Sequence, residues 1–128
     1  MAKICIVEDD EMDLVRRYSE VLKSNHQVAV VLDRISERDA GAVRYALKEA
    51  ELWPLPNASF HYGLDNLPTD ATLYFSDGLC GSCLDVAKRV GKERVYVNTS
   101  DCSLEALAKE QGLRILDRPI KDIISELD

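Results

Sequence analysis

Apolar and polar positions along the chain follow two periods. Short, nearly continuous apolar runs rich in β-branched residues occur at Ile4-Cys5-Ile6-Val7, Gln27 to Leu32, Leu73-Tyr74-Phe75, Val95-Tyr96-Val97 and Leu113 to Leu116. They predict buried strands over about 3–8, 27–32, 72–76, 94–98 and 113–117. Between them the period changes to that of an amphipathic helix. Leu14, Val15, Tyr18, Val21 and Leu22 share one face of 11–24, and Ala40, Val43, Leu47 and Ala50 form a stripe behind a Ser36 cap to about 51. Three more helices are predicted over 82–90, 103–111 and 120–127, with Gly91 and Gly112 where helices end.

The pattern breaks between 52 and 70. Trp53-Pro54-Leu55-Pro56-Asn57 excludes a helix, and Gly63 and Pro68 punctuate the rest. Residues 58–62 are a candidate short strand on a sheet edge. Strands alternating with helices predict a three-layer α/β fold, a five-stranded parallel sheet with right-handed crossovers and helices on both faces. On this reading the chain is a single domain, residues 1–128, with 52–70 an irregular insertion before the third main strand.

Composition narrows the class of function. A net charge of −7 argues against gripping a nucleic-acid backbone, because that affinity comes largely from Lys and Arg releasing counterions. No apolar run reaches membrane-spanning length, and the first strand starts without a signal-peptide pattern, so a cytoplasmic protein with no membrane partner is expected. Four cysteines, Cys5, Cys80, Cys83 and Cys102, suit a reducing compartment better than a disulfide scaffold.

The candidate chemistry lies at the ends of the predicted strands. Glu8-Asp9-Asp10 follows the first, Ser76-Asp77 the third, Asn98-Thr99 the fourth and Asp117-Arg118-Pro119 the fifth. In an open parallel sheet the carboxyl ends of the strands form the ligand crevice, so these residues are expected to converge. Carboxylates, a hydroxyl and a cation in one crevice suit Mg²⁺ and a phosphoryl group. Taken singly each signal has a plain alternative: acids often sit where strands turn into solvent, and Thr99-Ser100-Asp101 also reads as the cap of the next helix.

In this order the motifs resemble the response-regulator receiver domain, the phospho-acceptor module of two-component signalling. The resemblance implies a flavodoxin-like fold in which Glu8, Asp9 and Asp77 hold Mg²⁺. It further implies that Asp77 accepts the phosphoryl group, Thr99 reports the switch and Arg118 stands where the family has a lysine. The implied partners are a sensor kinase or phosphotransfer protein upstream and a downstream protein. The chain departs from the family in four places, one of them a short final helix that trims a surface receivers often use for dimers or outputs. Arg118 is longer and bidentate, Gly78-Leu79-Cys80-Gly81-Ser82 lacks the usual proline, and the stretch between Asp9 and Asp77 is longer. A second alignment makes 58–62 the family's second strand. The departures frame an alternative, a pseudo-receiver that binds a partner without phosphorylation.

Cys80-Gly81-Ser82-Cys83 supplies a third reading. A Cys-x-x-Cys that opens a helix after a strand resembles the thioredoxin and glutaredoxin superfamily locally, because a helix N-terminus lowers a thiol's pKa. That makes Cys80 and Cys83 a candidate redox pair; the bland reading places Cys83 on the buried side of its helix. A fainter likeness, to the Toprim nuclease and primase domain, rests on Glu8, Asp10 or Asp13, and Asp33.

Overall fold

The apolar runs do pair side by side in one parallel sheet. The computed structural model describes residues 2–78, 81–99 and 101–127. Its strands are β1 (Lys3–Glu8), β2 (Gln27–Leu32), β3 (Ala58–Tyr62), β4 (Leu73–Asp77), β5 (Val95–Asn98) and β6 (Arg114–Ile115). They lie in the order β3-β2-β1-β4-β5-β6, and every neighbouring pair is parallel. The helices are α1 (Glu11–Leu22), α2 (Gly41–Glu49), α3 (Ser82–Val90), α4 (Cys102–Glu110) and α5 (Ile120–Ser125). Among the described residues no helix is long and apolar enough to cross a membrane.

The α/β architecture with a parallel sheet is as expected, but the strand count is corrected from five to six. Residues 58–62 are a full strand, registered on β2 from Val28↔Ala58 to Leu32↔Tyr62. Two local features hold it there. Trp53 packs on Phe60, with ring centroids 4.9 Å apart, and both lie against the core. Asn57 fastens the start of the strand by donating from Nδ2 to the carbonyls of Ser24 and His26 at 3.1 and 2.9 Å. The neighbour of β1 is β2, so the alignment that makes 58–62 the second strand does not describe this sheet. The order is compatible with a flavodoxin-like sheet but carries one strand more, β3 at the edge. The order reverses direction between β1 and β4, the position at which the ligand crevice of such sheets generally forms.

Two apolar clusters sandwich the sheet. Strand residues of one parity, Ile4, Ile6, Val28, Val30, Leu32, Leu73, Phe75 and Tyr96, pack against α1, α2 and α5. Residues of the other parity, Cys5, Val7, Ala29, Val31, Tyr74, Val95 and Val97, pack against α3, α4 and the Leu64–Ala71 connection. Period-2 alternation thus decides which layer each strand-end side chain faces.

Candidate metal centre

Register and parity bring the acids together. Val7 pairs with Ser76 and Asp77 pairs with Asn98, so Glu8, Asp77 and Asn98 stand in a row along the carboxyl edge. All three have the parity of Ile6 and Phe75, and so face the α1 layer. Asp9 follows on the β1–α1 turn. One carboxylate oxygen from each of Glu8, Asp9 and Asp77 can be chosen so that all lie within 4.8 Å of one another. Asp10, the third acid in the run, serves a different purpose. Its carboxylate caps α1, accepting from the amides of Met12 and Asp13 at 2.8 and 3.0 Å.

Glu8 is the unusual member. It is 0% exposed; Oε1 accepts from the Asp9 amide at 3.1 Å, while Oε2 has no hydrogen-bond partner among the described residues. Burial, reinforced by the charge of Asp77, pushes its carboxyl up to about 9, and the Asp9 amide offsets this only in part. A buried charge with an unmatched oxygen is costly unless it takes a proton or meets a cation. Two unit charges at such a separation repel by roughly 3 kcal/mol at an effective dielectric of about 20. A hard divalent cation relieves both problems at once, and an all-oxygen donor set suits Mg²⁺ or Ca²⁺ better than zinc. The residues present therefore fit such an ion.

Beneath the acids lies a wall that pattern reading missed. Tyr18 is fully buried, tilted against Phe75, and its hydroxyl accepts from Asn98 Nδ2 at 3.1 Å. Burial holds the phenol above its ordinary pKa, and the charges of Glu8 and Asp77 push the same way. Tyr18 counted as core from its helical spacing, and nothing in that spacing pointed to the strand end it supports. A second missed pair joins Asp33, just past β2, to Ser82, the first residue of α3. Ser82 Oγ donates to Asp33 Oδ2 at 2.5 Å, and both residues are buried.

The remaining candidates divide. Thr99 lies against the acid loop: a Cβ added to Gly78 would stand 2.9 Å from Thr99 Cβ and 2.7 Å from Leu104 Cδ2. A glycine after Asp77 is what permits that approach. Thr99 Oγ1 accepts from the Asp101 amide at 3.1 Å, while the helix-cap role falls to Asp101, which accepts from the amides of Ser103 and Leu104. Arg118 is engaged outside the acid cluster. Its two terminal nitrogens meet the two carboxylate oxygens of Glu126 at 2.6 and 3.0 Å. Of the cysteine pair, Cys83 is fully buried on the inner face of α3, and burial raises its thiol above the ordinary value. Cys80 lies outside the described residues. Cys5 is likewise buried, its thiol pushed up to about 12 by desolvation.

Comparison with known proteins adds no relative: no family model matches the chain, and neither a curated protein nor a solved structure matches it significantly.

Proposed function

We propose that this chain is a receiver-like signalling domain in which Asp77 accepts a phosphoryl group beside a divalent cation held by Glu8, Asp9 and Asp77. The observation that carries the reading is the fully buried Glu8, which has one carboxylate oxygen without a hydrogen-bond partner among the described residues and clusters with two further carboxylates. Bound there, Mg²⁺ would neutralise the acids and take up charge from the phosphoryl oxygens. An Asp77 carboxylate oxygen forms the new bond to phosphorus as the bond from phosphorus to the donor's nitrogen or oxygen breaks. The donor leaves with that electron pair, and an acyl phosphate results. Thr99, against Gly78, carries the hydroxyl that reports the change toward α4. The donor is a sensor kinase, a phosphotransfer protein or a small phosphodonor, and the recipient of the signal is a protein.

One observation favours the phosphorylation-independent alternative. Arg118, the residue at the family's lysine position, is held in a fork-to-fork pair by Glu126, and a guanidinium so engaged is withdrawn from the acceptor. The thiol-redox reading needs Cys80 as its nucleophile, and of the pair only Cys83, a buried thiol raised above its ordinary value, lies among the described residues.

Incubation with Mg²⁺ and acetyl phosphate separates the readings. The first predicts a mass gain of one phosphoryl group that is labile to hydroxylamine, abolished by chelator and absent from Asp77→Asn. A wild-type protein that gains nothing overturns it in favour of the pseudo-receiver.

A further inference from the structure

We infer that Asp33 and Ser82 are positioning residues for the acceptor side of the cation site, an inference that rests on the reading of that site given above. Asp33 stands one residue past β2 with the parity of Ala29 and Val31, and so faces the layer containing α3. Its carboxylate lies across from the start of that helix. The start needs such a partner. Gly81 leads into α3 in the left-handed region at φ 81° and has no side chain with which to cap the helix. Asp33 supplies the missing negative group from another strand, through Ser82, and a negative group at that end is also favoured by the helix dipole. The bond is charge-assisted and made out of water, where such bonds are strongest.

The consequence for the site follows from what the pair connects. On one side the Asp33 amide donates to the Glu8 carbonyl at 3.0 Å, joining the pair to the β1 end that carries two of the three acids. On the other, the Gly81 amide donates to the Gly78 carbonyl at 3.0 Å, and Gly78 is the residue after Asp77. A hydrogen-bonded path therefore runs from Glu8 through Asp33, Ser82 and Gly81 to Gly78. It ties the ligands on β1 to the ligand on β4 across the α3 face, opposite the layer the acids themselves face. Neither residue belongs to the cation-binding set, yet the spacing of that set depends on the tie.

The test compares wild type, Ser82→Ala and Ser82→Thr, with Mn²⁺ as the probe. Two readouts are taken: Mn²⁺ affinity from water-proton relaxation, and hydrogen exchange at the Gly81 amide by NMR. Loss of one charge-assisted hydrogen bond predicts Mn²⁺ binding weakened by about fivefold to tenfold in Ser82→Ala, with faster Gly81 exchange. Ser82→Thr keeps the hydroxyl and returns both readouts to within about twofold of wild type. Wild-type affinity and exchange in Ser82→Ala overturn the inference. If wild type itself binds no Mn²⁺, the cation reading fails and Gly81 exchange alone decides. Exchange faster in Ser82→Ala but not in Ser82→Thr then upholds the tie, and equal rates overturn it. Should Ser82→Ala fail to fold, Asp33→Asn, which keeps an acceptor for the hydroxyl, takes its place. It predicts a smaller loss of about twofold to threefold, and no change there overturns the inference.

Discussion

The two edges of the sheet treat their polar groups in opposite ways. At the amino edge they are matched. Asn57 Nδ2 lies within hydrogen-bond distance of the carbonyls of Leu22, Ser24 and His26. The Ala2 amide donates to His26 Nδ1 at 2.9 Å, and Lys3 Nζ pairs with Asp70 at 2.7 Å. At the carboxyl edge Glu8 is buried with one oxygen that has no hydrogen-bond partner among the described residues, next to two more acids. Both edges come from the same strands and the same packing. The difference separates strand-end polarity that the fold satisfies from a buried carboxylate oxygen with no hydrogen-bond partner among the described residues.

Three perturbations sharpen the comparison, from the largest effect down. Removing the amide at the amino edge, Asn57→Ala, unseats β3 from β2. Two or three hydrogen bonds are lost, so stability is expected to fall by about 2–3 kcal/mol in urea unfolding, equally with and without Mg²⁺. A loss that Mg²⁺ repairs would break the contrast between the edges.

At the carboxyl edge the signs reverse. The folded-state pKa of Glu8, about 9, lies above its ordinary value of 4.5, so folded Glu8 keeps a proton that the unfolded chain has released. Unfolding releases that proton, and rising pH therefore favours unfolding. The contribution of Glu8 is fully present below about pH 4.5 and is lost as pH rises toward 9. In the absence of divalent cation, stability should decline across that window, and Mg²⁺ should oppose the decline. Glu8→Gln should flatten the profile and raise cation-free stability at pH 8 by on the order of 1–3 kcal/mol, while abolishing the response to Mg²⁺. A cation-free variant less stable than wild type at pH 8 contradicts the account of Glu8.

The smallest effect belongs to Arg118→Ala. Its partner Glu126 is exposed, and exposed ion pairs contribute little, so the melting temperature should not move measurably. An unchanged rate of phosphorylation by acetyl phosphate would show that the pair with Glu126 keeps Arg118 from the acceptor. A sharply reduced rate would show that Arg118 leaves Glu126 to serve it.

The parallel α/β sheet was legible because β-branched runs and helical stripes each left a clear period, and the ends of β1, β4 and β5 could be matched in order. Parity then did what order alone could not, turning Glu8 and Asp77 to one face. The sixth strand was harder to read. Ala58–Tyr62 has only five residues, follows two prolines, and earns its place through Trp53 on Phe60 and Asn57 on the turn before β2, contacts that no local period records. The same holds for Ser82 on Asp33, 49 residues apart, and for Asn98 on Tyr18, 80 apart. Such pairs are chosen by the tertiary fold, and their separate sequence neighbourhoods look like an ordinary helix start and an ordinary core stripe. Asp10 shows the reverse. It stands in the acidic run, yet the helix that follows claims it as a cap.

The most direct test of the carboxyl-edge site is an amide NMR titration with Mg²⁺, followed by beryllofluoride as a mimic of the phosphoryl group. The account predicts Mg²⁺ shifts at Glu8, Asp9 and Asp77, absent from Glu8→Gln, and further shifts at Asp77, Gly78 and Thr99 on adding the mimic. A spectrum unchanged by Mg²⁺ at these amides would contradict it.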